Sequence, residues 1–244
     1  MTIATADFPV IVLAGGLGTR IRGILGDTPK VLAPIGGHPF LDHLLAWLAA
    51  HQVTRVTLCL GHLAAKVTAH LATQTPPIPL VVETVVEPHP LGTAGAVRLA
   101  AAGLPAGGLV VMNGDTWLDL DLQAVLTRHR QHHADISLVC VRVADSSRYG
   151  RVEVDDRGAV LSFREKDDSH IGPALVSAGI VVLSAAARDR LVSGAGPSLE
   201  RDFLQVQPAG TILAQVVEGM FIDIGTPESL RQAPTTIVSP LTIG

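Results

Sequence analysis

The chain has 244 residues, 48% of them apolar, and a formal net charge of −4. That length can bury a sizeable core as one α/β domain, and the acidic balance argues against a general nucleic-acid surface. The most apolar stretch, Leu99 to Gly114, is broken by Gly103, Pro105, Gly107 and Gly108, so no run reaches the length of a membrane span. The opening MTIATADFP lacks the basic and apolar regions of a signal peptide, and the cytoplasm is the expected location. Cys59 and Cys140 each lie in an apolar run without His or Cys at zinc-ligand spacing. Buried free thiols are expected.

In chain order, Pro9-Val10-Ile11-Val12 predicts a buried first strand that opens into LAGGLGTRIRGILGDTPKVLAPI, Leu13 to Ile35. Gly15, Gly16 and Gly18 lack Cβ atoms, so the chain can turn tightly and bring N–H groups close to a ligand. Arg20 and Lys30 follow, with Pro29 fixing the backbone ahead of the second cation. Glycines, an arginine and a lysine together describe a cradle for a polyanion. A dinucleotide loop would need a third glycine where Ile21 stands, and a P-loop would need a Lys-Ser or Lys-Thr pair, which is absent. From His38, Leu41, Leu44, Leu45 and Leu48 fall on one helical face. Arg55–Leu60 predicts a strand, residues 64–71 a helix, Pro76, Pro77 and Pro79 a loop, and Leu80–Glu83 another strand. This alternation indicates βαβ units and a mainly parallel sheet.

The loop Glu87-Pro88-His89-Pro90-Leu91-Gly92-Thr93-Ala94-Gly95 leads from that strand into an Ala-rich helix, at the sheet edge where α/β folds place ligands. Leu109–Met112 predicts a buried strand, and Asn113-Gly114-Asp115-Thr116 breaks from its carboxyl end. Asp115 there is either a hard-oxygen ligand for Mg²⁺ or a turn residue or helix cap. Asp119 and Asp121 read as turn or cap residues. A helix from Leu122 to about His132 ends in His129, His132 and His133, read as solvated surface. The strand Ile136–Val143 follows. Tyr149–Val154 and Val160–Phe163 form a hairpin turning at Asp155–Gly158, with Arg164-Glu165-Lys166 at its end. Ser198–Leu204 suggests a short helix. Phe221–Ile224 delivers a second acidic residue, Asp223, before a helix opened by Gly225-Thr226-Pro227.

These segments, from about Val10 to Leu230, resemble the sugar nucleotidyltransferases, which join a sugar 1-phosphate to a nucleoside triphosphate. The resemblance is carried by G-x-G-T-R…P-K at Gly16–Lys30, E-x-x-P-L-G-T-A-G at Glu87–Gly95, the Asn113–Thr116 turn, the Glu165-Lys166 pair, Val176–Ile180 and D-x-G-T-P at Asp223–Pro227. It implies a Rossmann-like three-layer α/β/α sandwich with a mixed, mainly parallel sheet. One domain would cover 1–233, with a nucleotide half to about 143 and a sugar-phosphate half from 144, followed by a mobile tail at 234–244. Within the family the chain most resembles D-glycero-α-D-manno-heptose 1-phosphate guanylyltransferases of surface-polysaccharide pathways, with mannose 1-phosphate guanylyltransferases next. Uridylyl- or thymidylyltransferases, or a non-catalytic sugar-nucleotide sensor, are the alternatives. Retention of Asp115, Asp223, Arg20, Lys30 and Lys166 favours catalysis.

Residue by residue, the resemblance implies nucleotide binding by Leu13, Ala14, Gly15, Gly16, Gly18, Thr19, Glu87, Gly92, Thr93 and Asn113. Gly92 would pack on the base, and Glu87 would accept hydrogen bonds from its edge. Guanine suits a carboxylate, because N1–H and the 2-amino group are adjacent donors. Sugar-phosphate binding would fall to Gly150, Glu165, Lys166, Ser177 and Gly179. Ser177 stands where the family usually has Asn, and a hydroxyl reaches less far. Mg²⁺ would sit between Asp115 and Asp223, with Arg20, Lys30, Lys166 and Asp115 the catalytic group. The implied partners are GTP and a sugar 1-phosphate, neither nucleic acid nor membrane, with a homodimer a possible assembly.

Overall fold

The computed structural model describes residues 8–73, 80–166 and 172–241. Its strands are β1 (Val10–Leu13), β2 (Pro34–Ile35), β3 (His38–Pro39), β4 (Arg55–Leu60), β5 (Val81–Val86), β6 (Leu109–Asn113), β7 (Thr116–Leu118), β8 (Ile136–Val143), β9 (Arg151–Val154), β10 (Val160–Arg164), β11 (Ala174–Leu183), β12 (Ile212–Val217) and β13 (Phe221–Asp223). Its helices are α1 (Arg22–Leu25), α2 (Phe40–Ala50), α3 (Ala64–Thr73), α4 (Gly92–Ala101), α5 (Leu122–Gln131), α6 (Ala185–Ser193) and α7 (Pro227–Thr236). Neither the Pro76–Pro79 loop nor the first seven residues belong to the described residues.

The central sheet is mixed and mainly parallel. β6, β1, β4 and β5 run side by side in parallel. β11 is antiparallel to β6 along Ile180–Leu183 and to β8 along its length, and β12 is parallel to β8. The β9–β10 hairpin joins the edge of β11 at Val176, beyond the end of β6. Alternation along β1 sends Val10 and Val12 into one core and Ile11 into the other. The first core gathers Leu41, Leu44 and Leu48 of α2 with Val125 and Leu126 of α5. The second gathers Val97 and Ala100 of α4 with Leu191 of α6. Helices thus cover both faces, giving the three-layer α/β/α sandwich. Among the described residues no helix is long and apolar enough to cross a membrane.

Two expectations need correction. Residues 234–241, the described part of the expected tail, do not leave the fold: α7 runs through Pro234 to Thr236, Ile237 is buried, and the Ser239 hydroxyl meets buried His43 Nδ1 at 2.7 Å. Because His43 Nε2 donates to Ile35 O at 2.9 Å, Nδ1 is left to accept from Ser239. His129 is also not solvated surface. It is 3% exposed, its Nδ1 lies 2.8 Å from Ser137 Oγ, and burial lowers its pKa to about 4. His132 and His133 are exposed as expected. Asp121 caps α5 by accepting from Ala124 N, and both cysteines are buried free thiols.

Candidate active site

Parallel strands end together, so their following loops converge on one edge. Leu13, Cys59 and Asn113 are register partners on β1, β4 and β6, and the ladder continues as Ala14 N donates to Cys59 O and Gly114 N to Leu13 O. Above them opens a cavity of about 570 Å³ lined by Leu13, Gly15, Gly16, Glu87, Gly92, Thr93, Asn113 and Asp115. Eight residues expected at the site, seven nucleotide-binding and one catalytic, are therefore brought together. Gly18 lies beside it, around a smaller hollow with Lys30. Thr19 and Arg20 form an exposed 3₁₀ turn, and Ala14 is buried beneath the loop.

Local sterics explain two of the glycines. A Cβ on Gly15 would stand 2.9 Å from Glu87 Oε1 and 3.1 Å from Gly61 N. Glycine here lets the loop lie against the neighbouring strand end while Glu87 leans into the cleft. Glu87 Oε2 accepts from Leu91 N at 2.8 Å, which leaves Oε1 towards Gly15. Gly92, with φ +73°, answers to a different neighbour: its Cβ would fall 2.4 Å from Pro197 O. Glycine at 92 is thus demanded by the 196–199 segment, whatever else it faces. Cys59 Sγ donates to Ala96 O, and burial, with Glu87 adding, pushes its thiol up to about 12. It is a floor residue and not a nucleophile.

Asp115 and Asp223, remote in sequence, meet because β7 and β13 pair antiparallel with Asp223 opposite Thr116 and Ile224 N donating to Asp115 O. Lys30 enters from the turn after Pro29. Its Nζ lies 2.6 Å from Asp115 Oδ2 and 3.3 Å from Asp223 Oδ1, with the lysine side chain only 11% exposed. A Cβ on Gly225 would approach this ammonium to 2.8 Å, and Gly225 N donates to Asp223 Oδ1. One cation therefore already sits between two hard carboxylate oxygens. Among the described residues no group of three or more His, Cys, Asp or Glu could hold a metal. Two carboxylates do suit Mg²⁺, which commonly takes one or two and completes its shell with water and phosphate oxygens.

A second cavity, about 220 Å³, adjoins the first and shares Leu13, Thr93 and Asn113 with it. Ser177 and Gly179 line it, as do Leu199, Glu200 and Leu204 from the expected short helix, which is one π-type turn over Glu200–Leu204 with Leu199 at its N-cap. Gly179 sits in a bulge of β11 with φ +73°, and a Cβ there would strike Asn113 Nδ2 at 2.5 Å. Ser177 Oγ accepts from Gly179 N, so the residue standing for Asn serves the bulge. Gly150 and Glu165 approach through Glu200: a Gly150 Cβ would lie 3.8 Å from Glu200 Oε1. Burial, and then the Glu165 carboxylate, raises the pKa of Glu200. Lys166 is exposed at the end of the hairpin and lines neither cavity. Glu200, in the stretch expected to lie near the sugar pocket, and the cleft residues Gly61 and His62 were not among the expected site residues. A Gly-His pair following a strand was the available signal for the latter two.

The nucleotidyl transferase family model matches residues 9–239. Mannose-1-phosphate guanylyltransferase of Mycobacterium tuberculosis is 33% identical over 97% of this chain, which spans 66% of that protein. D-glycero-alpha-D-manno-heptose 1-phosphate guanylyltransferase of Aneurinibacillus thermoaerophilus is 30% identical over 91% of this chain and 95% of its own. The crystal structure of HddC from Yersinia pseudotuberculosis superposes with a TM-score of 0.83 at 33% identity, covering 93% of this chain and 98% of that one. The same protein complexed with GMP-PN gives 0.83 at 32% identity. With its fold and nearly its whole length matched, the chain belongs to the nucleotidyl transferase family.

Proposed function

We propose that the protein is a sugar 1-phosphate guanylyltransferase that joins GTP to a heptose 1-phosphate of the D-glycero-α-D-manno type, releasing pyrophosphate. The observation that carries this reading is the pair of adjoining cavities with Leu13, Thr93 and Asn113 as common walls. Two substrates bound one in each would meet at those walls, beside Asp115. The match in length to the heptose relative and the GMP-PN complex of HddC support the choice of sugar and base. The mannose relative, with 33% identity over 97% of the chain, is the specific ground for a second reading as a mannose 1-phosphate enzyme.

In the proposed reaction an oxygen of the sugar phosphate attacks the α-phosphorus in line. Its bond to the bridging oxygen of pyrophosphate breaks as the new P–O bond forms. No general base is required, because a sugar phosphate is ionised at neutral pH. The protein's tasks are alignment and neutralisation of two polyanions. Arg20 clamps the leaving phosphates in bidentate fashion, and Lys166 holds the attacking phosphate, which requires it to swing in from the exposed hairpin end where it now stands. Lys30 stabilises charge around the α-phosphorus, which requires it to leave the carboxylates it now bridges. Asp115 and Asp223 would hold Mg²⁺, which when bound draws electron density from the α-phosphate. The test is pyrophosphate release across a grid of nucleoside triphosphates and sugar 1-phosphates. GTP with heptose 1-phosphate should give the highest kcat/KM, and best use of UTP or of a glucose phosphate would overturn the reading.

A further inference from the structure

The first turn of α4 is held by the sugar-side segment that precedes the π-type turn. Pro197 O accepts from Ala94 N at 2.8 Å, and Thr93 Oγ1 accepts from Leu199 N at 2.8 Å. Arg98 donates to Gly196 O at 2.7 Å. Gly92 exists in its left-handed conformation with room for Pro197 O and for nothing larger. Four successive contacts thus run from the 92–98 stretch to the 196–199 stretch, and only one of them uses a side-chain hydroxyl.

Thr93, which carries that hydroxyl, belongs to a wall common to both cavities. Its oxygen accepts from Leu199 N, and Leu199 stands immediately before Glu200, which lines the second cavity. A helix N-terminus ordinarily offers its free N–H groups and caps to a bound anion. Here Ala94 N is already taken by Pro197 O. We infer that Thr93 is a positioning residue for the sugar-side pocket: its Oγ1 holds the Leu199 amide, and so fixes where Leu199 and Glu200 stand against the sugar. This rests on the reading of the second cavity as the sugar-phosphate site. It turns Thr93 from a nucleotide contact into the strut that ties the two substrate sites into one rigid unit.

The test uses Thr93→Val, which keeps the shape and removes the acceptor, and Thr93→Ser, which restores it. Loss of one neutral hydrogen bond should raise the KM for the sugar 1-phosphate about five- to tenfold. The affinity for a non-hydrolysable GTP analogue, measured by calorimetry without sugar, should stay within about twofold, and Thr93→Ser should return the sugar KM to that of the unmutated protein. Hydrogen exchange of the 196–204 peptide, read without any substrate, should speed up in Thr93→Val and not in Thr93→Ser. A Thr93→Val protein whose GTP-analogue affinity falls as much as its sugar affinity would overturn the inference, making Thr93 a nucleotide contact. Unchanged exchange would overturn it at the strut. Faster exchange with an unchanged sugar KM would overturn it at the other end, by showing that the second cavity is not where the sugar binds.

Discussion

The two halves of the site are built differently. On the side proposed for the nucleotide, parallel strands β1, β4 and β6 end in register, and the following loops supply glycines and backbone from contiguous stretches. On the side proposed for the sugar, the wall is assembled from a bulge in antiparallel β11 and a π-type turn, together with Leu13, Thr93 and Asn113, residues far apart in the chain. The charge balance differs as well. On the first side Arg20 and Lys30 on the glycine loop balance the carboxylates Glu87, Asp115 and Asp223, whereas Glu200 on the second side has another carboxylate, Glu165, near enough to raise its pKa. A triphosphate calls for cations and N–H groups, and a polyhydroxylated sugar for acceptors. The contrast fits the two ligands proposed, and it can be attacked experimentally at the point where the halves meet.

The largest effect is expected there. Asp115 comes from the nucleotide side and Asp223 from the far end of the chain, and both face Lys30. Asp115→Ala and Asp223→Ala should each lower kcat by at least about 10³-fold, as loss of a ligand at the reacting phosphate costs several kcal/mol. Folding should be little affected, because each carboxylate is part-exposed. A near-normal rate in either variant would remove that residue from the reacting centre.

The lysines sharpen the division into halves. Lys166→Ala should raise the KM for sugar 1-phosphate about tenfold and leave that for GTP unchanged, consistent with one charge-assisted contact. Lys30→Met should slow the reaction with every sugar. It should also tighten Mn²⁺ binding in the absence of nucleotide, since the ammonium no longer neutralises the two carboxylates. Manganese titration followed by electron paramagnetic resonance reads this directly. Equal or weaker Mn²⁺ affinity in Lys30→Met would mean that the two aspartates do not form the cation site.

The same contrast decides what could be read from the sequence. Strands β1, β4, β6 and β8 and the Gly15–Lys30 and Glu87–Gly95 loops were legible because each is one continuous pattern. β12, β7 and α6 were not foreseen, nor was the role of Glu200, because burial of a discontinuous wall leaves no local signature. Gly92 was legible as a special residue but assigned to the base, while its steric need comes from Pro197, more than a hundred residues away. His129 was misread for the same reason: a polar helix end does not reveal that Ser137 and the Phe8 ring will bury one of its three histidines. That burial is testable. His129 is depressed from 6.5 to about 4 chiefly by desolvation, with Arg130 lowering it and Asp135 raising it. The fold favours the neutral ring, so its contribution is present above pH 6.5 and is lost as pH falls towards 4. Urea melts between pH 7.5 and 4.5 should show a loss on the order of 2 kcal/mol that is absent from His129→Gln. An identical acid loss in both proteins would mean that another group dominates.

The smallest expected effect separates the loop from the base. Glu87 Oε2 is occupied by Leu91 N, and Oε1 remains at the cleft beside Gly15. A carboxylate can only accept, and guanine offers N1–H and a 2-amino group side by side, while uracil offers one donor between two acceptors. GTP should therefore be preferred over UTP by the unmutated protein. Glu87→Gln keeps an oxygen for Leu91 N but replaces the other acceptor with an NH₂ group, which meets the guanine donors badly. The loop should stay in place, and only the base reading should suffer. Because Leu91 already engages one oxygen, the loss should be about 1 kcal/mol, at the low end for a bidentate base contact. It should appear as a roughly fivefold narrowing of the GTP-over-UTP ratio, and as a narrowing of GTP over ITP, which lacks the 2-amino group. If Glu87→Gln left both ratios unchanged, Glu87 would be a loop brace alone, and the base would be read by the backbone of Leu91 and Gly92.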